Sequence, residues 1–276
     1  MSDILKHGPA LYAAAAAGYA AAALWFWRTR WRARAAHPGL RPAERFALLA
    51  PLALHGWLLY VDLFLAPELR FGFAQALSVT LAVGVAIYWV ESLFLRLDGI
   101  EPLILAPAAL AAPLPAIFPG LASRGAPAAF EFRLHLVLAM AAYSVFTLAM
   151  LHAVLMAIAE RRLQRKQNVA FALPPLLTLE RLLFRLIGTA FVLLTLTLAT
   201  GIVYSESLFG RPLRFDHKTL FALLSWATFA ALLAGRALRG WRGRTALRWT
   251  LSGFALLLLA YVGSRFVLEV ILGRGP

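Results

Sequence analysis

Of 276 residues, 62% are hydrophobic and only 14% charged, with a mean hydropathy of +0.75; soluble domains carry about a quarter charged residues, so a water-soluble enzyme is excluded and a polytopic membrane protein is expected. The formal net charge of +14 does not point to nucleic acid, because the arginines cluster in short stretches between apolar runs, where they set topology and attract anionic lipid headgroups. The absence of cysteine removes disulfides, thiolate metal sites and thiol redox chemistry.

Roughly 20 apolar residues cross a hydrocarbon core of about 30 Å as a helix, and backbone groups in lipid must be satisfied within each segment. The expected fold is therefore an all-α bundle of eight transmembrane helices in a single transmembrane domain spanning residues 1–276. The first span runs from about Gly8 to Trp27, is rich in alanine, and ends at the interfacial Trp25 and Trp27. An arginine cluster follows this run rather than preceding it, so a retained span is expected instead of a cleaved signal. The next loop, RTRWRARAAHPGLRPAER, carries six arginines and is placed in the cytoplasm, with the N-terminus outside. Alternation then gives span 2 at Phe46 to Leu65, span 3 at Phe73 to Leu93 and span 4 at Ile100 to Phe118. Span 4 is expected to be kinked or partly unwound by Pro107, Pro113 and Pro115.

Span 5, Leu134 to Ala159, leads from an outer loop to the basic run ERRLQRKQ, and spans 6 (Leu182 to Tyr204), 7 (Lys218 to Gly235) and 8 (Leu247 to Leu272) complete eight. Both termini then lie on the outer, periplasmic side. Eighteen of the 27 Lys and Arg fall on the inside and nine on the outside, which supports this orientation. The chain contains no P-loop, GxGxxG, HExxH or GxSxG pattern, and nothing pairs a nucleophile with a base, so an independent catalytic activity is not expected.

Six histidines remain as candidate ligands. His7 and His37 fall in a tail and a basic loop and are expected to be solvated. His135 and His217 open spans 5 and 7 at the outer boundary, while His55 and His152 stand at a matched inner depth, so the four form two levels. Imidazoles from facing helices can clamp one haem iron, and each boundary histidine could equally bond headgroups or loop carbonyls. Asp62 follows His55 by seven residues on about the same helix face. Asp62 and Glu91 could line a proton or ion path, but pairing with Arg70, Arg96 or Arg185 is the preferred reading. Arg265 and Glu269 are spaced to pair at i,i+4, and Arg265 sits where a haem propionate would lie. Phe209, Phe215 and Trp226 flank the outer loop as a ring platform for a haem face or as interfacial anchors.

The second half resembles the cytochrome c assembly proteins of the CcsA, ResC and HemX type. His135 begins HLVLAMAAYSVFTLAM with Tyr143 in the tyrosine position of that family's HVxMMxxSYAxL run. TLERLLFRLIGTAFVLLTLTLATGIVY, Thr178 to Tyr204, is similar to a second family span, and LFGRPLRFDHKTLFALLSW stands where the family's tryptophan-rich, haem-presenting loop lies. That loop retains Gly210, Asp216, Lys218 and Trp226, but phenylalanines and Leu208 replace its tryptophans. A second outer histidine is missing at Tyr261 to Arg265, and an inner one at Leu233 to Arg236.

The chain looks most like the small eight-span YpjD or HemX-like subfamily. The resemblance divides the domain into a divergent half, 1–133, and a family-like half, 134–276. It implies a haem-handling protein of the bacterial inner membrane that assists cytochrome c assembly, non-catalytic or accessory to a haem lyase. Under it His135, His217, His55, His152, Asp216, Arg265, Phe215 and Trp226 would contact haem, taken as haem b, with His135 and His217 on the iron. Assembly or haem-biosynthesis proteins would be its partners. The alternative is a cofactor-free regulatory or scaffolding protein of the same fold.

Overall fold

A computed structural model describes residues 2–32, 39–66, 70–95, 99–120, 130–164, 176–203 and 216–272, and all the regular elements among them are helical. Phe209, Gly210 and Phe215 of the outer loop, together with His37, lie outside the described residues, as does the side chain of His7. In chain order the elements are α1 (Ser2–Phe26), α2 (Pro42–Leu65), α3 (Phe73–Phe94), α4 (Glu101–Ala111), α5 (Leu114–Ile117), α6 (Phe130–Gln164), α7 (Leu176–Val203), α8 (His217–Arg239) and α9 (Gly243–Ile271). Among the described residues seven helices are long and apolar enough to cross a membrane, and α4 with α5 forms a shorter apolar eighth.

Several helices outrun the apolar stretches that announce them. α6 begins four residues before Leu134 and runs on to Gln164, because Phe130 to Arg133 and Glu160 to Gln164 are good helix formers that can stay wound outside hydrocarbon. Local chemistry fixes the ends. Pro42 sits in the first turn of α2, where its missing N–H costs nothing, and Glu44 accepts the Arg41 amide at 2.9 Å. Asp216 caps α8 by accepting the Thr219 amide at 3.0 Å, and Gly240, at φ +65°, closes it in the left-handed conformation that a side chain would resist. The proline-rich fourth span breaks at Ala112 and Pro113, as expected, into α4 and α5.

Helices α3 and α6 form the centre, with 67% and 61% of their apolar stretches buried against 22% for each of α7, α8 and α9. α6 packs on α3, α7 and α9, and α1 packs on α2 and α4. Phe146 of α6 stacks on Phe229 of α8 with ring centroids 4.0 Å apart, both fully buried. Gly253 lets α9 close on this pair, since a Cβ there would come within 2.8 Å of the Phe229 ring. Tyr143 Oη donates to the Leu257 carbonyl at 2.6 Å and Ser225 Oγ to the Gly253 carbonyl at 2.9 Å, tying α6 and α8 to α9.

Several ion pairs lie at the basic, inner ends of the helices. Arg30, in the π-helical continuation of α1 over Trp27–Arg32 and 2% exposed, donates to Glu101, to Glu44 at 2.8 Å and to the Gly39 carbonyl at 3.1 Å, which ties this segment to α2 and α4. Glu180 of α7 meets Arg236 of α8 at 2.5 Å and Arg242 at 3.5 Å, while Glu160 meets Arg244 at 3.5 Å. Ion pairs here sit where hydrocarbon gives way to headgroups, which limits the cost of holding charge.

Candidate functional site

His135 stands in the second turn of α6 and faces α7. Its Nδ1 lies 3.0 Å from the Thr200 hydroxyl, with the Thr197 carbonyl also beside the ring. The Thr200 hydroxyl proton is directed to its own helix, to the Leu196 carbonyl at 2.9 Å or the Thr197 carbonyl at 3.0 Å. With the hydroxyl proton on its own helix, the oxygen can accept the His135 Nδ1–H, the tautomer that leaves the lone pair on Nε2. Gly201 admits the ring, because a Cβ there would stand 3.2 Å from Cε1. A histidine whose far nitrogen is held in this way is oriented as a metal ligand should be.

His217 is the first residue of α8, with an exposed side chain beside the outer loop. Asp216, immediately before it, is fixed by the Thr219 amide and hydroxyl at 3.0 and 3.2 Å. Burial pushes the Asp216 carboxyl up, but those two bonds and the charge of Lys218 outweigh it and hold the group below the usual carboxylate range. The contact of Phe146 with Phe229 marks a common level on α6 and α8, which both run inward. His135 lies eleven residues above it and His217 twelve, about 16 and 18 Å along the two axes. The depths expected from the sequence therefore agree.

Two further groups stand at the outer level. Arg265 Nη1 is 3.9 Å from Glu269, its guanidinium lies 5.8 Å from the Tyr261 ring, and its buried Nε has no hydrogen-bond partner. Lys218 is close enough to Arg265 for their charges to interact. Glu269 leans the other way, accepting the Phe73 amide at the start of α3 beside Gly72, where a Cβ would fall 2.5 Å from its oxygen. Trp226 packs deeper: its indole donates to Thr195 at 2.9 Å and stacks on Phe191 at 5.5 Å, so one face of the ring is already taken by α7.

At the inner level the two histidines have different surroundings. His152, 1% exposed, donates Nδ1–H to the Leu148 carbonyl at 2.8 Å, and its buried Nε2 has no partner. His55, also buried, bonds Ser78 of α3 through Nε2 at 2.8 Å and lies edge-on to Tyr12 and Tyr19 of α1. Among the described residues no ring contact or hydrogen bond joins the two, and α3 packs against both of their helices. The preferred arginine partner for Asp62 is corrected among the described residues: no ion pair joins it to Arg70 or Arg185, and Tyr12 of α1 donates to Asp62 Oδ2 at 2.5 Å. Glu91 has one buried oxygen without a hydrogen-bond partner, and Arg96 lies outside the described residues.

Sequence reasoning missed Thr200 and the two tyrosines. Threonine bonds to its own helix in any span, so it gave no signal. Tyr12 and Tyr19, seven residues apart in an alanine run, could have been recognised as a single face. Among the described residues no group of three His, Asp or Glu could hold a bare metal ion. The residues do suit a porphyrin iron, which needs only axial nitrogens: Nε2 of His135 and of His152 each face away from a bonded Nδ1.

Comparison with known proteins gives a consistent family. The family model described as cytochrome C assembly protein matches residues 46–272. The inner membrane protein YpjD of Escherichia coli K12 is 36% identical over 139 residues, 50% of this chain and 52% of that protein. A 28.8 kDa protein encoded in a nifR3-like 5' region of Azospirillum brasilense is 32% identical over 216 residues, 73% of this chain and 77% of its own length. The cytochrome c biogenesis protein CcsA of Prochlorococcus marinus is 39% identical over 89 residues, 32% of this chain and 28% of that one. The match to YpjD spans about half the length of that relative. No solved structure matches.

Proposed function

We propose that this chain, which belongs to the cytochrome c assembly family, binds haem at the outer ends of α6 and α8 and holds or delivers it for cytochrome c assembly. It is a multi-pass protein of the bacterial inner membrane, as its spans and its likeness to YpjD indicate. One observation carries the reading: His135 has its Nδ1 committed to Thr200, which leaves Nε2 for an iron, at the depth of His217 on the parallel helix.

In this reading His135 and His217 would hold the iron of a haem b, and Asp216, which caps α8, would fix the start of the helix that carries His217. Arg265 takes a propionate, since a guanidinium matches carboxylate geometry. Phe215 and Trp226 would border the porphyrin, and His152 with His55 would form an inner station. The bound haem supplies an iron centre for transfer to a partner; the chain supplies its orientation and its protection from water. Partners would be cytochrome c assembly or haem-biosynthesis proteins, with anionic headgroups at the inner arginines.

The protein purified from haem-replete cells is expected to show a Soret band, and His135→Ala or His217→Ala to lower haem affinity by at least about tenfold. A pigment-free preparation would overturn the reading in favour of a cofactor-free scaffold acting through partner contacts.

A further inference from the structure

At the outer end of α9 one guanidinium and one carboxylate attract each other without bonding. Arg265 Nη1 is 3.9 Å from Glu269 Oε1, near enough for the charges to act and too far for a hydrogen bond. Arg265 Nε and Glu269 Oε1 are both buried, and neither has a hydrogen-bond partner. An arginine and a glutamate one helical turn apart close to about 2.8 Å when nothing restrains them. Here Glu269 is held from another side. It accepts the Phe73 amide at the start of α3, and Gly72 leaves room for it, since a Cβ there would fall 2.5 Å from Oε2. The Glu269 side chain is 9% exposed and that of Arg265 25%, so the guanidinium is the more open of the two.

The charges around Arg265 do not balance. Lys218, in the first turn of α8, is near enough for its charge to act on Arg265, so two cations face the one carboxylate of Glu269. Asp216, on the far side of Lys218, directs its own carboxylate to the Thr219 amide and hydroxyl. Tyr261 presents a ring 5.8 Å from the guanidinium, with no charge. This corner therefore admits one further anion. A carboxylate reaching Arg265 Nε would satisfy a donor that Glu269 leaves open.

We propose that Glu269 is a counter-carboxylate that competes with a haem propionate for Arg265 and so sets how readily the chain gives haem up. The inference deepens the haem reading above and rests on it. Without a porphyrin carboxylate, Glu269 offsets the charge of a partly buried guanidinium that would otherwise stand beside Lys218 alone. With one, Arg265 turns to the propionate while Glu269 stays on the Phe73 amide, where its charge opposes the newcomer's. The retained repulsion loosens the propionate, which suits a protein that hands its porphyrin on rather than keeping it. Glu269 acts through Arg265 and is a positioning residue; it makes no bond to iron.

Loss of ferric haem from the full chain in lipid nanodiscs to excess apomyoglobin, followed by absorption, tests this. Glu269→Gln keeps the shape and an acceptor for the Phe73 amide but removes the charge. It is expected to slow haem loss by about tenfold, the worth of one charge-assisted hydrogen bond, with the Soret band unmoved. Arg265→Gln is expected to speed the loss by a similar factor, and adding Glu269→Gln to it to change nothing further. Unchanged or faster loss in Glu269→Gln, as a purely structural carboxylate would give, overturns the proposal, and so does a slowing that persists without Arg265. If Glu269→Gln does not fold, Glu269→Asp, which withdraws the same charge by one methylene, is expected to slow loss about threefold, and an unchanged rate there overturns the proposal. An unaltered protein that takes up no haem overturns the haem reading itself, whereas haem-loaded proteins with equal rates overturn only the role of Glu269.

Discussion

Replacing Glu101 by glutamine is expected to destabilise the folded chain by about 3–5 kcal/mol, the usual cost of removing one partner from a buried ion pair. Glu101 is fully buried and Arg30 is 2% exposed, so the guanidinium would lose a charged partner in a dry interior while keeping Glu44. Glu101 also accepts the Gly99 amide at 2.7 Å, which positions the start of α4. Glu44 has a side chain 14% exposed, and its replacement by glutamine leaves Glu101 in place. That second variant is expected to cost well under half as much. Thermal unfolding of both in one detergent measures the difference, and equal losses would show that burial of the Glu101 pair is not what matters.

Phe146→Ala carries the second large effect, a loss of about 3–5 kcal/mol from transfer and cavity terms together. Phe146 is fully buried and stacks on Phe229 between α6 and α8. The consequence is expected to reach the outer site, because the stack of Phe146 on Phe229 joins the two helices that carry His135 and His217. Haem occupancy is therefore expected to fall although no ligand has been touched. Phe146→Leu, which retains most of the apolar volume, should lose about 1 kcal/mol for the ring pair and keep haem. Unfolding midpoints and haem content per chain, measured on the same samples, check both halves.

Composition made the bundle legible, because a bilayer dictates span length, and the arginines carry the expected orientation, because it also dictates where charge can rest. The kink in the fourth span was readable from prolines alone. His135, His217 and the Arg265 to Glu269 pair lie at the levels their positions implied, since depth along a helix is simple arithmetic. Lateral placement was not readable in the same way. That Asp62 would meet Tyr12, and that His55 would turn to Ser78 on α3, depends on which helices are neighbours and how each is rotated. The tautomer of His135 rests on a threonine 65 residues away on another span. Hydropathy also undercounted helix length, because the polar first and last turns of α6 and α8 stay helical beyond the lipid.

Two imidazoles, one from α6 and one from α8, are expected to share an iron. Low-temperature electron paramagnetic resonance of the ferric protein tests it most directly, with His135→Ala and His217→Ala recorded beside it and imidazole then added to each. The expected result is a low-spin bis-imidazole signal in the unaltered protein, lost in both variants and recovered with added imidazole. A high-spin signal in the unaltered protein, or a low-spin signal that survives both substitutions, would contradict it.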